Sequence, residues 1–200
     1  MIKVNIQPEP ATFNAKVRLP GERFLRACGG RPRKWKKKEF WRETLNDLRI
    51  SYGGICAYSS FWIPQGGSVD HFWPKSQRPD LAYEWSNYRF CNPKINSNKG
   101  DSQEVLDPFN IINGWFTLNF ASFLVEPGEN LPEDVEKAIN DTIRILQLNK
   151  DDVLIQSRYE VARSYAMEEV TLPHLQRRYP FIAAEILRQG VTESIKTLKW

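Results

Sequence analysis

Two hundred residues, 41% hydrophobic and 26% charged, describe one domain or one domain with an appendage, with apolar mass enough for a core. No run approaches the roughly 18 apolar residues of a membrane span, and the opening MIKVNIQPEPATF lacks the apolar stretch of a secretory leader. The three cysteines, Cys28, Cys56 and Cys91, are odd in number and widely spaced, which argues against a disulfide framework and for a reducing, cytoplasmic setting.

The net charge of +4 is unevenly spread. Residues 1–50 carry 13 Lys/Arg against 5 Asp/Glu, residues 51–105 balance at 5 and 5, and residues 106–200 carry 10 against 14. A basic flank suits a polyanion such as nucleic acid. The plainer alternative is a solvated helix start.

In chain order, residues 1–20 alternate weakly and suggest an extended lead-in. Pro20-Gly21 marks a turn, and Gly21–Ala27 suggests a short helix stopped by Gly29-Gly30. Arg31, Arg33, Lys34, Lys36, Lys37 and Lys38 then crowd into eight positions and lead into a helix expected over about Lys36–Ile50. Trp41, Leu45, Leu48 and Tyr52 recur at helical spacing along it, and Gly53-Gly54 ends it. Cys56–Ile63 and Ser68–Phe72 read as the arms of a β-hairpin joined through Pro64-Gln65-Gly66-Gly67. A helix is expected from Ser86 or Asn87 to about Asn98, closed by Gly100, with Pro93 as a possible break.

Beyond Asp107-Pro108 the chain changes character. Phe116–Val125 is a strand candidate with a turn at Glu126–Glu129. Pro132–Leu148, Asp151–Glu169 and Leu175–Gln189 carry helical stripes. The class is therefore α+β, divided as a basic N-terminal region and helix (1–51), a middle core (52–106) and a mainly helical C-terminal region (107–200). The last part shows packing patterns and no chemistry. His174 has no catalytic company, and Glu168-Glu169 are adjacent on a helix and point apart.

The chemistry concentrates in Ser68–Gly100. Phosphodiester hydrolysis needs a base to activate water and a hard cation to steady charge on the phosphate. Histidine suits the base role near neutral pH. A carboxylate and an amide oxygen suit Mg²⁺, which keeps several waters and takes few protein ligands. His71 is one of two histidines and follows Asp70 directly. On a strand the two would face opposite ways, so a strand end or bulge must bring both to one site. Asn96, one helix later, is a candidate second ligand, with Asn92 and Asn98 as rivals. Asn87 has the character of a helix cap. Lys75 and Lys99 read either as phosphate contacts or as surface charge. Trp73 and Trp85 read as core before they read as base-stacking platforms.

On these residues the sequence resembles the HNH endonucleases, whose ββα-metal fold matches the element order just given. Asp70-His71-Phe-Trp-Pro-Lys75-Ser looks like the family's first motif, Trp85-Ser-Asn87-Tyr like its middle Asn motif, and Asn96-Ser-Asn-Lys99-Gly like its last. The resemblance implies His71 as general base, Asp70 and Asn96 as ligands of one Mg²⁺ or Mn²⁺, and Asn87 as brace of the loop that orients His71. It also implies DNA as substrate, with Arg31–Lys38, Lys75 and Lys99 on the backbone. Phe116–Val125 and Thr142–Asn149 look like the tail of bacterial HNH proteins of anti-phage defence, the Septu and retron-linked kinds, which work beside an ABC-type ATPase. The chain departs from HNH proteins that carry a structural zinc, because neither Cys56 nor Cys91 begins a Cys-x-x-Cys pair, so no structural zinc is expected. Two other readings stay open: an HNH-like protein that binds nucleic acid without cutting, and an RNA-cutting toxin.

Overall fold

A computed structural model describes residues 1–197 of the chain. Seven α-helices and two small antiparallel sheets are present among them, so the class is α+β. The chain divides into two compact units. One is formed by residues 5–57 and 63–103, the other by residues 1–4, 58–62 and 104 onward. The first two of the three segments read from the sequence thus fall largely in one unit.

The unit of residues 5–57 and 63–103 holds the candidate chemistry. A π-helical turn, Asn14–Arg18, leads into α1, Leu19–Ala27. α1 starts two residues before the expected Gly21. Gly21 lies against Tyr83: a Cβ at this position would fall 2.2 Å from the Tyr83 ring. The basic run that follows is loop, with Lys37 at φ 64°. The expected basic helix from Lys36 does not form there. Like charges at helical spacing oppose a helix, and regular structure begins only with the 3₁₀ turn Phe40–Thr44 and α2, Leu45–Ser51.

The expected hairpin is also replaced. Strand β1 is Ser68–His71, but its partner is β2, Tyr88–Cys91, in the register Ser68↔Cys91, Val69↔Phe90, Asp70↔Arg89 and His71↔Tyr88. The Cys56–Ile63 arm forms no strand with β1; Ala57 N–H instead donates to Phe90 C=O. α3 is Pro93–Lys99. Its start follows from local chemistry: Asn92 accepts the Lys94 N–H at 2.9 Å, and Pro93 takes a first-turn position, where it lacks only a hydrogen bond that no helix makes there. Gly100, at φ 52°, closes it. The helix expected from Asn87 therefore begins six residues later. Pro93 initiates it where a break was expected, and Tyr88–Cys91 are strand.

Ile95 and Lys99 are the buried face of α3, one turn apart. Behind the sheet, Phe13 meets Trp85 and Tyr88 edge-on at 5.7 and 5.8 Å, and Leu48 of α2 is fully buried.

In the other unit β3, Phe116–Leu118, pairs with β4, Val125–Pro127, so the single strand expected over Phe116–Val125 is two strands with a turn between them. Helices α4, Glu133–Ile145, and α5, Asp152–Ala166, lie inside the ranges read from periodicity. The expected Leu175–Gln189 helix is two: α6, Leu172–Arg178, and α7, Pro180–Arg188. Pro180 cannot donate into the preceding turn and starts a new helix. Buried Glu185 accepts Leu118 N–H at 3.0 Å, tying α7 to β3. His174 sits in the first turn of α6, where the Thr171 hydroxyl accepts its backbone N–H at 3.4 Å. No helix among the described residues is long and apolar enough to cross a membrane.

Candidate active site

The end of β1 carries Asp70 and His71, the loop from Phe72 to Asn87 follows, and α3 carries Asn96. Asp70, His71 and Asn96 line one cavity of about 90 Å³, walled also by Trp41, Lys75 and Asp101. The strand-end position lets neighbouring residues of alternating direction border the same space.

His71 is 7% exposed. Its Nε2 lies 2.9 Å from Ala82 C=O. A carbonyl only accepts, so Nε2 carries the hydrogen and Nδ1 carries the lone pair. The ring stands edge-on to Trp41 at 4.8 Å and to Tyr88 at 5.1 Å. Ala82 C=O also accepts from Tyr88 Oη at 2.8 Å, which fixes its direction. Burial, and after it the positive charge of Lys75, pushes the His71 pKa down to about 3, so the ring is neutral at pH 7.

Asn87 holds the loop. Its Oδ1 accepts Trp73 N–H at 2.8 Å, and its Nδ2 donates to Trp73 C=O at 3.0 Å and Leu81 C=O at 3.1 Å. Its own carbonyl accepts Phe72 N–H at 2.9 Å. The side chain thus joins the two ends of the loop that presents Ala82 to His71. It makes these contacts while buried.

Asp70 is buried, and its Oδ1 lies 3.1 Å from Lys99 Nζ. Lys99 Nζ also donates to the carbonyls of His71 at 3.0 Å and Phe72 at 3.1 Å. Lys99 is therefore neither a phosphate contact nor a surface charge, the two readings open in the sequence: its ammonium has three oxygen acceptors inside the fold, and its side chain has no exposure. Asn96 donates from Nδ2 to Ser68 Oγ at 3.1 Å and Val69 C=O at 3.3 Å, which leaves Oδ1 as its oxygen donor. Of its rivals, Asn92 is spent as the cap of α3, and Asn98 is not among the residues that line the cavity.

Asp101 is a wall residue that the sequence motifs do not single out. It follows Gly100 and accepts from Ser76 Oγ at 2.6 Å. The signal was an acidic residue just past the helix-ending glycine of the last motif. Trp41 is a second such residue. Its helical spacing marks it as core, and its place beside His71 depends on tertiary packing.

Asp70, Asp101 and Asn96 put two carboxylates and one amide on the cavity wall, the hard-oxygen donor type that Mg²⁺ or Mn²⁺ takes. The Asp70–Lys99 pair competes with a cation for the same carboxylate. Among the described residues, no three His, Cys, Asp or Glu side chains converge as a metal cluster. Cys56 and Cys91 are buried side by side, with Cys56 Sγ accepting Asn92 N–H, and burial pushes the Cys91 thiol up.

Of the basic run, Arg31, Arg33, Lys34, Lys36 and Lys37 are exposed, while Lys38 is half-buried with Nζ 5.6 Å from the Phe24 ring. Lys75 is half-buried with Nζ 5.6 Å from the Trp41 ring. Trp85 is core, whereas Trp73 is 40% exposed. No protein-family model matches the chain, and a comparison with curated proteins gives no match.

Proposed function

We propose that this protein is a metal-dependent endonuclease of the HNH type that hydrolyses phosphodiester bonds of DNA. The observation that supports this reading is the meeting of Asp70, His71 and Asn96 on one cavity, beside a loop held by Asn87. His71 takes the proton of the attacking water at Nδ1, because Nε2–H is committed to Ala82. Ala82 C=O then stabilises the imidazolium by accepting from it. Asp70 and Asn96 would hold one Mg²⁺ or Mn²⁺, which supplies charge stabilisation at the phosphate and the leaving oxygen. Lys75 adds positive charge at the cavity wall, and the exposed lysines and arginines of residues 31–37 bind the backbone without reading sequence. Burial is the main cause of the low His71 pKa; a bound phosphate would offset the two lysine charges that add to it and so raise the basicity of the ring.

The setting proposed with this activity is an anti-phage system beside an ABC-type ATPase, from the sequence resemblance, in the cytoplasm, from the odd and widely spaced cysteines. The test is cleavage of plasmid DNA with Mg²⁺ or Mn²⁺, with tRNA as the alternative substrate. His71→Ala should abolish cutting, and cutting at the wild-type rate would sink the assignment.

Two observations favour a second reading. Asp70 is already neutralised by Lys99, and His71 is a weak base as it stands. A protein that binds nucleic acid without cutting it fits those two facts. Binding with no cleavage under any divalent ion, an ATPase partner included, would select it.

A further inference from the structure

The catalytic cavity opens beside a larger one. A groove of about 520 Å³ is bordered by Trp35, Trp41, Arg42, Val69, Lys75 and Asn96. Four of these, Trp41, Val69, Lys75 and Asn96, also line the 90 Å³ cavity of His71. The aromatic rings run continuously between the two. Trp35 and Trp41 are 5.8 Å apart at 65°, and Trp41 stands 4.8 Å from His71. Trp41 is nearly buried, whereas Trp35 is half-buried at the groove.

Size separates the two spaces. The smaller suits a phosphate group, and the larger falls within the range of sites that take a whole small ligand. Arg42 and Lys75 border the groove; Arg42 is paired with Glu39, also on the wall, at 3.3 Å, which leaves Lys75 as its cation without an acidic partner on the wall, and the exposed basic run adjoins Trp35 in sequence. Aromatic rings set among cations, one step from a phosphate-sized cavity, are the chemistry that receives a nucleobase with its backbone. A paired base in a duplex has both faces covered, so only an unpaired one can stack on an indole.

We propose that the Trp35–Trp41 groove receives an unpaired nucleobase next to the scissile phosphate, so that the substrate is single-stranded or locally unpaired nucleic acid. The proposal rests on the nuclease reading for the word scissile, but base binding itself does not need cleavage. Direction follows from the layout: the base enters at Trp35, its phosphate lies toward Lys75, and His71 faces the phosphate from beyond Trp41.

The test measures binding without divalent ions, by anisotropy of a fluorescein-labelled single-stranded oligonucleotide, its duplex, and an abasic strand of the same length. Wild type should bind the single strand about tenfold more tightly than the abasic strand, the weight of one base–aromatic stack. Trp35→Ala should lose that factor for the single strand and nothing for the abasic strand. Trp35→Phe, which keeps a ring, should restore most of it. Equal wild-type affinity for normal and abasic strands overturns the proposal even if no Trp35 variant folds. So does a Trp35→Ala loss that is the same on all three probes. Cleavage is then assayed separately. Stacking-dependent binding without cutting would retire the nuclease and leave the base site, whereas cutting with Trp35-independent binding would do the reverse.

Discussion

Lys99 Nζ lies 3.1 Å from Asp70 Oδ1, with both side chains buried between α3 and the end of β1. The same ammonium bonds the carbonyls of His71 and Phe72, so it ties helix to strand through three acceptors. Removing one partner of a buried pair leaves the other charge uncompensated, at a cost of about 3–5 kcal/mol. Lys99→Met should therefore lower unfolding free energy in urea by that amount. The double variant Asp70→Asn/Lys99→Met should recover much of the loss. If Lys99→Met unfolds at the wild-type urea midpoint, the pair has no structural weight.

His71 makes stability depend on pH. Its folded pKa of about 3 lies below the unfolded value of about 6.5. Between the two, the unfolded chain binds a proton that the folded chain does not, so stability rises with pH through that window. The contribution is complete above about pH 6.5 and is lost as pH falls toward 3, with an upper bound on the order of 5 kcal/mol. His71→Gln removes the group, and the difference between its urea midpoints and those of wild type across pH 4–7 isolates the effect. Parallel curves for the two proteins would show that His71 does not titrate in this way.

The residues of the proposed site stand out in the sequence by type and order. Asp70-His71, Asn87 and Asn96 can be named before any fold is known. The pairing of their strands cannot. Tyr88–Cys91 are buried at every position, so no alternation marks them as strand. Their partner lies across a loop whose closure depends on Asn87 and not on local periodicity. The apolar run at Cys56–Ile63, followed by two glycines, imitates a hairpin arm. Lys99 misleads for a different reason: lysine is almost never fully buried unless paired, and the pairing with Asp70 is visible only in three dimensions. Pro93 looks like a break and Pro180 like a helix interior, whereas each opens a helix.

Asn87 gives a direct test of the loop brace. Asn87→Ala removes the acceptor of Trp73 N–H and the donors to Trp73 and Leu81 C=O. Unmade buried hydrogen bonds make a stability loss of about 2–4 kcal/mol the expected result. Asn87→Asp keeps the acceptor but turns a carboxylate toward two carbonyls, and it should be no better. If the loop also aims His71, cleavage should fall in kcat with little change in KM. An effect on KM alone would mean that Asn87 serves binding instead.

The basic residues fall into two classes that one pair of measurements separates. Arg31, Arg33, Lys34, Lys36 and Lys37 are exposed and distant in sequence from His71. Neutralising them should reduce the salt dependence of nucleic-acid affinity by roughly 0.7–0.9 in log–log slope for each phosphate no longer neutralised. The His71 stability window should not move. Lys75 borders both cavities and, after burial, is the next cause that holds the His71 pKa down. Lys75→Ala should lower the salt slope by the increment of a single phosphate and also raise the His71 pKa, so that the pH-dependent part of stability shrinks. A Lys75 variant that changes the salt slope but leaves the pH dependence as in wild type would place this charge on the backbone path alone, outside the electrostatics of His71.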